Sequence, residues 1–308
     1  MKKLCLAALI IAVFFLASTF PRYRREMAAA KARVLARSAI LNTNRVVIEY
    51  AVAGEGPAVL TLHGAGGGYD QGLWAARMAL GEGYKLIAVS RYGYLRTPIP
   101  PRASVRMQAA AYGDLLDHLR IRKVIVLGCS AGGPPATQFA NDYPARAAAL
   151  ILMSAVSEAS LPGDKPSFYT GVMHSIQRSD YAYWLVARFF QGAILNLVGV
   201  PPNLYASFSP LQKQLAREML DAMHPMSLRY RGTLNDGEMI RREPVSKDRV
   251  SAPVLIVHSR DDALVSYGHA ERAHQAIRHS RLITFETGGH GLLTQMSAVR
   301  QAVNGFLR

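Results

Sequence analysis

The chain has 308 residues with a formal net charge of +15, and half of its residues are hydrophobic. This length suffices for one large domain or two small ones, and the apolar fraction excludes a disordered chain. The charge is uneven, because residues 1–45 hold nine Lys or Arg against one acidic residue, Glu26. The excess lies beside an apolar segment and outside any nucleic-acid motif, so it favours a membrane surface as partner and no nucleic acid.

The N-terminus has the charge-then-apolar order of a secretory signal or a short membrane anchor. Lys2 and Lys3 precede an uninterrupted apolar run, Leu4–Ala17, whose length is near the lower limit for a spanning helix. No clear small-residue cleavage site follows, which favours an uncleaved anchor at residues 1–20. A cleaved signal of a secreted or periplasmic protein is the alternative, and the flanking charges leave the side of the membrane open.

After this segment, residues 21–44 predict a basic helical linker that lies near the membrane surface or in solvent. From Arg45 onward, short apolar runs alternate with helical patterns. The predicted strands are 46–52, 58–62, 86–89, 124–127, 150–153, 254–257 and 281–285. The predicted helices are 71–80, 104–119, 134–143, 267–277 and 292–307. Short, fully apolar strands that alternate with helices indicate an α/β fold with a mostly parallel open sheet and helices on both faces.

One long interval, residues 155–250, interrupts the alternation. It contains several prolines and no clear strand, and it is too long for a structureless loop. We therefore predict an inserted helical cap at 155–250, and a core formed by residues 45–154 and 251–308. Aromatic residues are frequent in the cap and predict either its own core or an apolar pocket. They are Phe168, Tyr169, Tyr181, Tyr183, Trp184, Phe189 and Phe190.

A Gly-x-Ser-x-Gly motif at Gly128–Gly132 directly follows the apolar run 124–127 and precedes a predicted helix. A nucleophilic serine needs this setting, because a strained strand-to-helix turn lifts its hydroxyl above the sheet. The motif by itself is weak, and a plain strand-to-helix turn is the alternative. The neighbouring Cys129 lacks the flanking glycine spacing, so we expect Ser130 to be the nucleophile and Cys129 a packed residue.

A second glycine-rich segment, His63-Gly64-Ala65-Gly66-Gly67-Gly68, follows the run 58–62. It lacks the endings of a phosphate-binding loop, and we expect it to supply half of an oxyanion hole. The backbone amides of Ala65 and Ala131 are the predicted donors, and His63 is expected to hold the loop.

A serine nucleophile needs a base, and the base needs an orienting acid. His290 lies on a glycine loop between the last predicted strand and the last helix, a setting that no other histidine shares. Asp262 and Asp261 follow the run 254–257, and Asp262 has the better spacing. The order Ser130, Asp262, His290 is the chain order of the hydrolase triad.

With these motifs, the chain resembles the α/β-hydrolase superfamily over roughly residues 45–308. It looks most like small bacterial esterases, meta-cleavage-product hydrolases and cofactor-free haloperoxidase-like enzymes, and it is similar to a group of membrane-anchored bacterial hydrolases. Where relatives have an aspartate and two close glycines after the strand 86–89, this chain has Ser90 and, at the second glycine, Leu95.

The resemblance implies a serine hydrolase that cleaves an ester or related acyl bond through an acyl-enzyme, with no metal or organic cofactor. The aromatic residues of the cap favour an apolar small-molecule or lipid-like substrate. Carbon–carbon bond hydrolysis of the meta-cleavage type uses the same serine, histidine and aspartate and is the main alternative. A non-catalytic ligand-binding scaffold is the other.

Overall fold

The computed structural model describes residues 2–43, 45–164 and 167–308, with the side chains of residues 14–43, 45–164 and 171–308. Eight strands form one sheet. They are β1 (Ala39–Asn42), β2 (Val47–Ala53), β3 (Ala58–Leu62), β4 (Lys85–Val89), β5 (Val124–Cys129), β6 (Ala147–Met153), β7 (Val254–Ser259) and β8 (Ser280–Phe285). The strand order is β1-β2-β4-β3-β5-β6-β7-β8. The pairs β1–β2 and β2–β4 are antiparallel and the other five are parallel, so the expected α/β class with a mostly parallel open sheet is confirmed.

Helices cover both faces of the sheet. The helices of the core are α2 (Tyr69–Leu80), α3 (Val105–His118), α4 (Gly133–Asp142), α11 (Gly268–Ala276) and α12 (Met296–Leu307). One buried apolar cluster joins α3, α4 and α11 to the sheet, and a second joins α2 and α12 to its other face. The buried, continuously apolar strands between them are the physical reason that the sequence showed runs without alternation.

Strand β1 is absent from the sequence-based prediction. It is an edge strand of four residues that pairs only with β2, and three of its four residues are exposed. A short, exposed edge strand has no apolar face to bury, so it leaves no hydrophobic pattern in the sequence.

The interval between β6 and β7 is helical, as expected for the cap. Its helices are α5 (Ser167–Gln177), α6 (Asp180–Phe189), α7 (Gln191–Leu197), α8 (Pro202–Ala206), α9 (Pro210–Asp221) and α10 (Tyr230–Arg242). Tyr183 and Trp184 are buried between these elements, whereas Phe189 and Phe190 are exposed. The side chains of Phe168 and Tyr169 lie outside the described residues.

The predicted linker is not a solvated segment. Most of it belongs to α1 (Lys2–Ala36), on which Met27, Ala30 and Val34 are buried. Their spacing of three and four residues places them on one face of the helix. On the cap side, the Trp184 indole donates a hydrogen bond to Glu26 at 2.8 Å. The part of α1 that carries these three residues is thus packed against the domain.

The predicted membrane anchor, residues 1–20, lies largely outside the residues whose side chains are described. Within the part of the chain that the structure describes, no helix is long and apolar enough to cross a membrane.

His224, in the turn after α9, couples the stability of the cap to pH. Its ring packs edge-on against Tyr183, with centroids 4.9 Å apart, and the residue is 6 % exposed. Burial, reinforced by the charge of Arg229, lowers the pKa of His224 to about 4. The unfolded chain, with a histidine pKa near 6.5, therefore binds more protons than the folded chain between pH 6.5 and 4, and stability falls as the pH falls through this window.

We predict that lowering the pH from 6.5 to 4.5 costs the wild-type protein about 2 kcal/mol more free energy of unfolding than it costs His224→Gln, because the variant has no imidazole to protonate. Urea unfolding at four pH values across this window measures the difference. Equal pH dependence of the two proteins would contradict the assignment.

Candidate active site

Ser130 lies at the tight turn between β5 and α4. It has a φ of 51°, in the left-handed region that a residue with a side chain rarely adopts. The turn comes so close to β3 that a Cβ atom on Gly132 would lie 2.2 Å from the carbonyl oxygen of Leu62. Glycine at 132 therefore permits the close approach of the turn to β3. The strained backbone of Ser130 lets its hydroxyl project above the carboxyl ends of the strands.

The structure brings Ser130, His290 and Asp262 together from three distant segments. His290 Nε2 lies 3.0 Å from Ser130 Oγ, and His290 Nδ1 lies 2.8 Å from Asp262 Oδ2. The loop that carries His290 is held by its backbone, since the His290 amide donates to the carbonyl of Gly199 in the cap. These distances match those of a nucleophile, a base and an orienting carboxylate.

Asp262 is buried and ionised. Its Oδ1 atom accepts hydrogen bonds from the amides of Leu264 and Val265 at 2.9 and 3.0 Å. Burial opposes the charge, but His290 and a further contact to His258 outweigh burial and hold the pKa of Asp262 well below its usual range. The alternative acid, Asp261, instead accepts the amide of Gly289 at 2.8 Å, and so braces the loop next to His290.

The glycine-rich loop after β3 lies across from Ser130. His63 is fully buried, and its Nδ1 atom is 2.7 Å from the carbonyl of Gly64, while its Nε2 accepts the amide of Arg91. In the described part of the chain the amide of Ala65 donates no hydrogen bond, which leaves it available to a ligand. The amide of Ala131 lies in the first turn after β5, where helical amides lack internal acceptors.

Cys129 precedes the serine, and its surroundings keep its thiol protonated. Burial raises the pKa of its thiol to about 12, so the thiol stays protonated at neutral pH. Cys129 is half-buried and lines the same cavity as Ser130. The thiolate is the nucleophilic form of cysteine, so a thiol that stays protonated is a poor nucleophile.

A cavity of about 310 Å³ opens beside Ser130, Ala65 and His290. Residues from both the core and the cap line it, and its surface is mainly apolar. Six methionines contribute to it, namely Met78, Met153, Met173, Met219, Met223 and Met296. The described aromatic residues of the cap that sequence singled out do not line it. Tyr183 and Trp184 are buried elsewhere, and Phe189 and Phe190 are exposed. Among the described residues, no cluster could hold a metal ion.

Buried ion pairs fasten the cap over the site. Arg91 donates to Asp236 of α10 through both terminal guanidinium nitrogens, and its Nη2 lies 2.7 Å from Oδ2. The Nε of Arg91 donates to the carbonyl of His63 at 2.9 Å. Thr233, one turn earlier on α10, accepts the amide of Gly66. The cap therefore contacts the backbone of the glycine-rich loop directly.

The departure after β4 has a structural counterpart. Ser90 donates a hydrogen bond to Glu49 of β2 at 2.8 Å, so a buried carboxylate lies next to the position where relatives carry aspartate. Leu95, in place of glycine, has a φ of 50° and donates its amide to the carbonyl of Leu228 in the cap.

Several residues at this site were missed by sequence analysis. Trp74, Ser154, His174, Gln177 and Thr233 line the cavity. They lie on separate elements in ordinary sequence surroundings, and no motif marked them.

The sheet topology, with a strained serine at the end of β5 that lies within hydrogen-bond distance of a histidine beside an aspartate, is typical of the α/β-hydrolase class. The family model described as the alpha/beta hydrolase fold matches residues 57–295. The chain belongs to the α/β-hydrolase superfamily.

Similar proteins agree with this assignment. The chain is 31 % identical over 253 residues to the uncharacterized hydrolase YcgS of Bacillus subtilis (strain 168), an alignment that covers 79 % of this chain and 88 % of that protein. It is 25 % identical over 263 residues to the 2-hydroxy-6-oxo-6-phenylhexa-2,4-dienoate hydrolase of Comamonas testosteroni, covering 79 % and 85 % of the two chains. Among solved structures, an alpha/beta hydrolase fold protein from Nakamurella multipartita superimposes with a TM-score of 0.72 at 26 % identity, covering 88 % of this chain and 98 % of that one.

We predict that Asp236→Asn lowers the free energy of unfolding by about 3–5 kcal/mol, because it leaves the buried Arg91 guanidinium without its counter-charge. Urea unfolding at pH 7 measures this. Glu238→Gln is the matched control on the same helix. Its ion pairs with Arg241 and Arg242 are exposed, so we expect this variant to lose less than about 1 kcal/mol of free energy of unfolding. Equal losses in the two variants would show that the buried pair has no special role.

Proposed function

We propose that this α/β hydrolase cleaves carboxylic esters with an apolar acyl group through an acyl-enzyme. The observation that carries the proposal is the Ser130–His290–Asp262 hydrogen-bonded series at the mouth of an apolar cavity. The series supplies a nucleophile with its base, and the cavity supplies a site for a hydrocarbon chain.

In this mechanism Ser130 Oγ attacks the ester carbonyl while its proton passes to His290 Nε2. The amides of Ala65 and Ala131 stabilise the resulting oxyanion, an effect of about 10²–10³ in rate per donor. The carbon–oxygen bond to the alcohol then breaks, and His290 returns the proton to the departing alcohol. Water, deprotonated by His290, attacks the acyl-enzyme and releases the acid, with Asp262 stabilising the imidazolium in both steps.

The residues that line the cavity help to choose between ester cleavage and the alternative, hydrolysis of a carbon–carbon bond. The similarity to the dienoate hydrolase of Comamonas testosteroni favours this second reaction, which would use the same residues. Its named substrate carries a carboxylate, however, and the described residues that line the cavity include no Lys or Arg. A buried carboxylate without a counter-charge is costly, and we therefore place ester cleavage first.

We expect Ser130→Ala to lower kcat/KM for methyl octanoate at least about 1,000-fold while leaving the melting temperature within a few degrees of wild type. Labelling by a fluorophosphonate probe should be lost as well. The control is Cys129→Ala, which should keep the labelling because the protonated thiol is not the nucleophile. Labelling that persists in Ser130→Ala, or a wild-type protein that neither reacts with the probe nor hydrolyses any ester, would contradict the proposal. The second result would favour a non-catalytic scaffold.

Substitution of Asp262 should lower kcat much more than substitution of Asp261. Asp262→Asn is expected to lower kcat by about 10⁴-fold, since it removes the charge and favours the wrong imidazole tautomer. Asp261→Asn should lower kcat less than about tenfold, because an amide oxygen can still accept the Gly289 hydrogen bond. The reverse order of the two effects in steady-state kinetics would assign Asp261 as the acid.

A further inference from the structure

The cavity beside Ser130 contains polar groups that the fold does not satisfy. Four buried atoms of its lining lack a hydrogen-bond partner in the described part of the chain. They are Trp74 Nε1, Ser154 Oγ, His174 Nδ1 and Gln177 Oε1. Ser154 is 2 % and Gln177 3 % exposed. Buried polar groups in proteins are almost always paired, so a group of unpaired ones around a single ligand cavity indicates polar atoms on the ligand.

The chemistry of these groups narrows the ligand. The described lining residues include no Lys, Arg, Asp or Glu, which disfavours a charged group. The indole N–H of Trp74 can only donate, the amide oxygen of Gln177 can only accept, and the hydroxyl of Ser154 can do both. A ligand hydroxyl, which donates and accepts at once, matches the hydrogen-bonding groups of these three residues. A ketone or ether oxygen would leave the amide oxygen of Gln177 unpaired.

Two of the groups belong to residues that lie near the predicted nucleophile and the predicted oxyanion donor. Ser154 directly follows Met153, which pairs with Cys129 in the sheet, one residue from the nucleophile. On the cap side, the Gln177 amide nitrogen lies 3.7 Å from the position of a Cβ atom on Gly66, next to the predicted oxyanion donor Ala65. We therefore expect a ligand hydroxyl that meets these side chains to lie near the carbonyl carbon of the substrate.

We propose that the preferred substrates are uncharged esters whose apolar acyl chain carries a hydroxyl group near the carbonyl, held by Gln177, Ser154 and Trp74. The methionine-lined remainder of the cavity contains the hydrocarbon part of the chain. Methionine side chains are flexible and polarizable, which suits a chain without a fixed shape. This inference rests on the proposed ester hydrolysis and adds the substrate class.

The experiment compares methyl octanoate, methyl 3-hydroxyoctanoate and methyl 3-oxooctanoate by proton release. Wild type should show about tenfold or higher kcat/KM for the hydroxy ester than for the plain ester, since the site leaves its polar groups unpaired with the latter. Trp74→Phe, Ser154→Ala and Gln177→Leu should each reduce this preference about fivefold. Met219→Leu changes the shape of the same cavity without removing a hydrogen-bonding group, and it should keep the preference.

Fluorophosphonate labelling of each variant shows whether its site is folded, independently of the ester used. Equal kcat/KM for hydroxy and plain esters, a higher value for the oxo ester, or a preference that all three polar variants retain would overturn the substrate assignment. Ser130-dependent cleavage of methyl octanoate would then leave the proposed function in place. A wild-type protein that cleaves none of the three esters and does not react with the probe would overturn both.

Discussion

The close approach of the turn after β5 to the end of β3 is the constraint on which the site depends. Only a residue without a Cβ fits at position 132, where the Leu62 carbonyl would be 2.2 Å from an added carbon. This contact holds Ser130 in a left-handed conformation at the carboxyl edge of the sheet and places the glycine-rich loop beside it. A strained conformation of this kind persists only where the surrounding structure fixes it, and β5 lies between the buried strands β3 and β6.

The cap depends on buried charges in a comparable way. The side chains of Arg91 and Arg229 are almost fully buried. Arg91 of the core pairs with Asp236 of the cap, and Arg229 of the cap pairs with Asp70 of the core. A buried charge without its partner is very unfavourable, so these pairs specify one position of the cap over the core. Because Arg91 also holds the carbonyl of His63, the position of the cap and that of the glycine-rich loop are linked.

Local motifs in the sequence predicted positions that the structure brings together. Gly-x-Ser-x-Gly after an apolar strand predicted the turn at Ser130, and a histidine on a late glycine loop identified His290, now 3.0 Å from the serine hydroxyl. Sequence analysis failed for α1, where the buried face of Met27, Ala30 and Val34 was obscured by the many charges around it. It also left open whether the cap aromatics form a pocket, and it did not identify the methionines that line the cavity.

Apolar strand runs and glycine spacings are local patterns, so the α/β architecture could be predicted from them, together with a serine, a histidine and an aspartate that lie close together at the sheet edge. The residues around these three come together only through packing between distant segments. Trp74, Ser154 and Gln177 belong to α2, to the end of β6 and to α5, and only the packing of the cap onto the core brings them to one cavity. Contacts between residues far apart along the chain have no period and no fixed spacing, and they become visible only when the chain is folded.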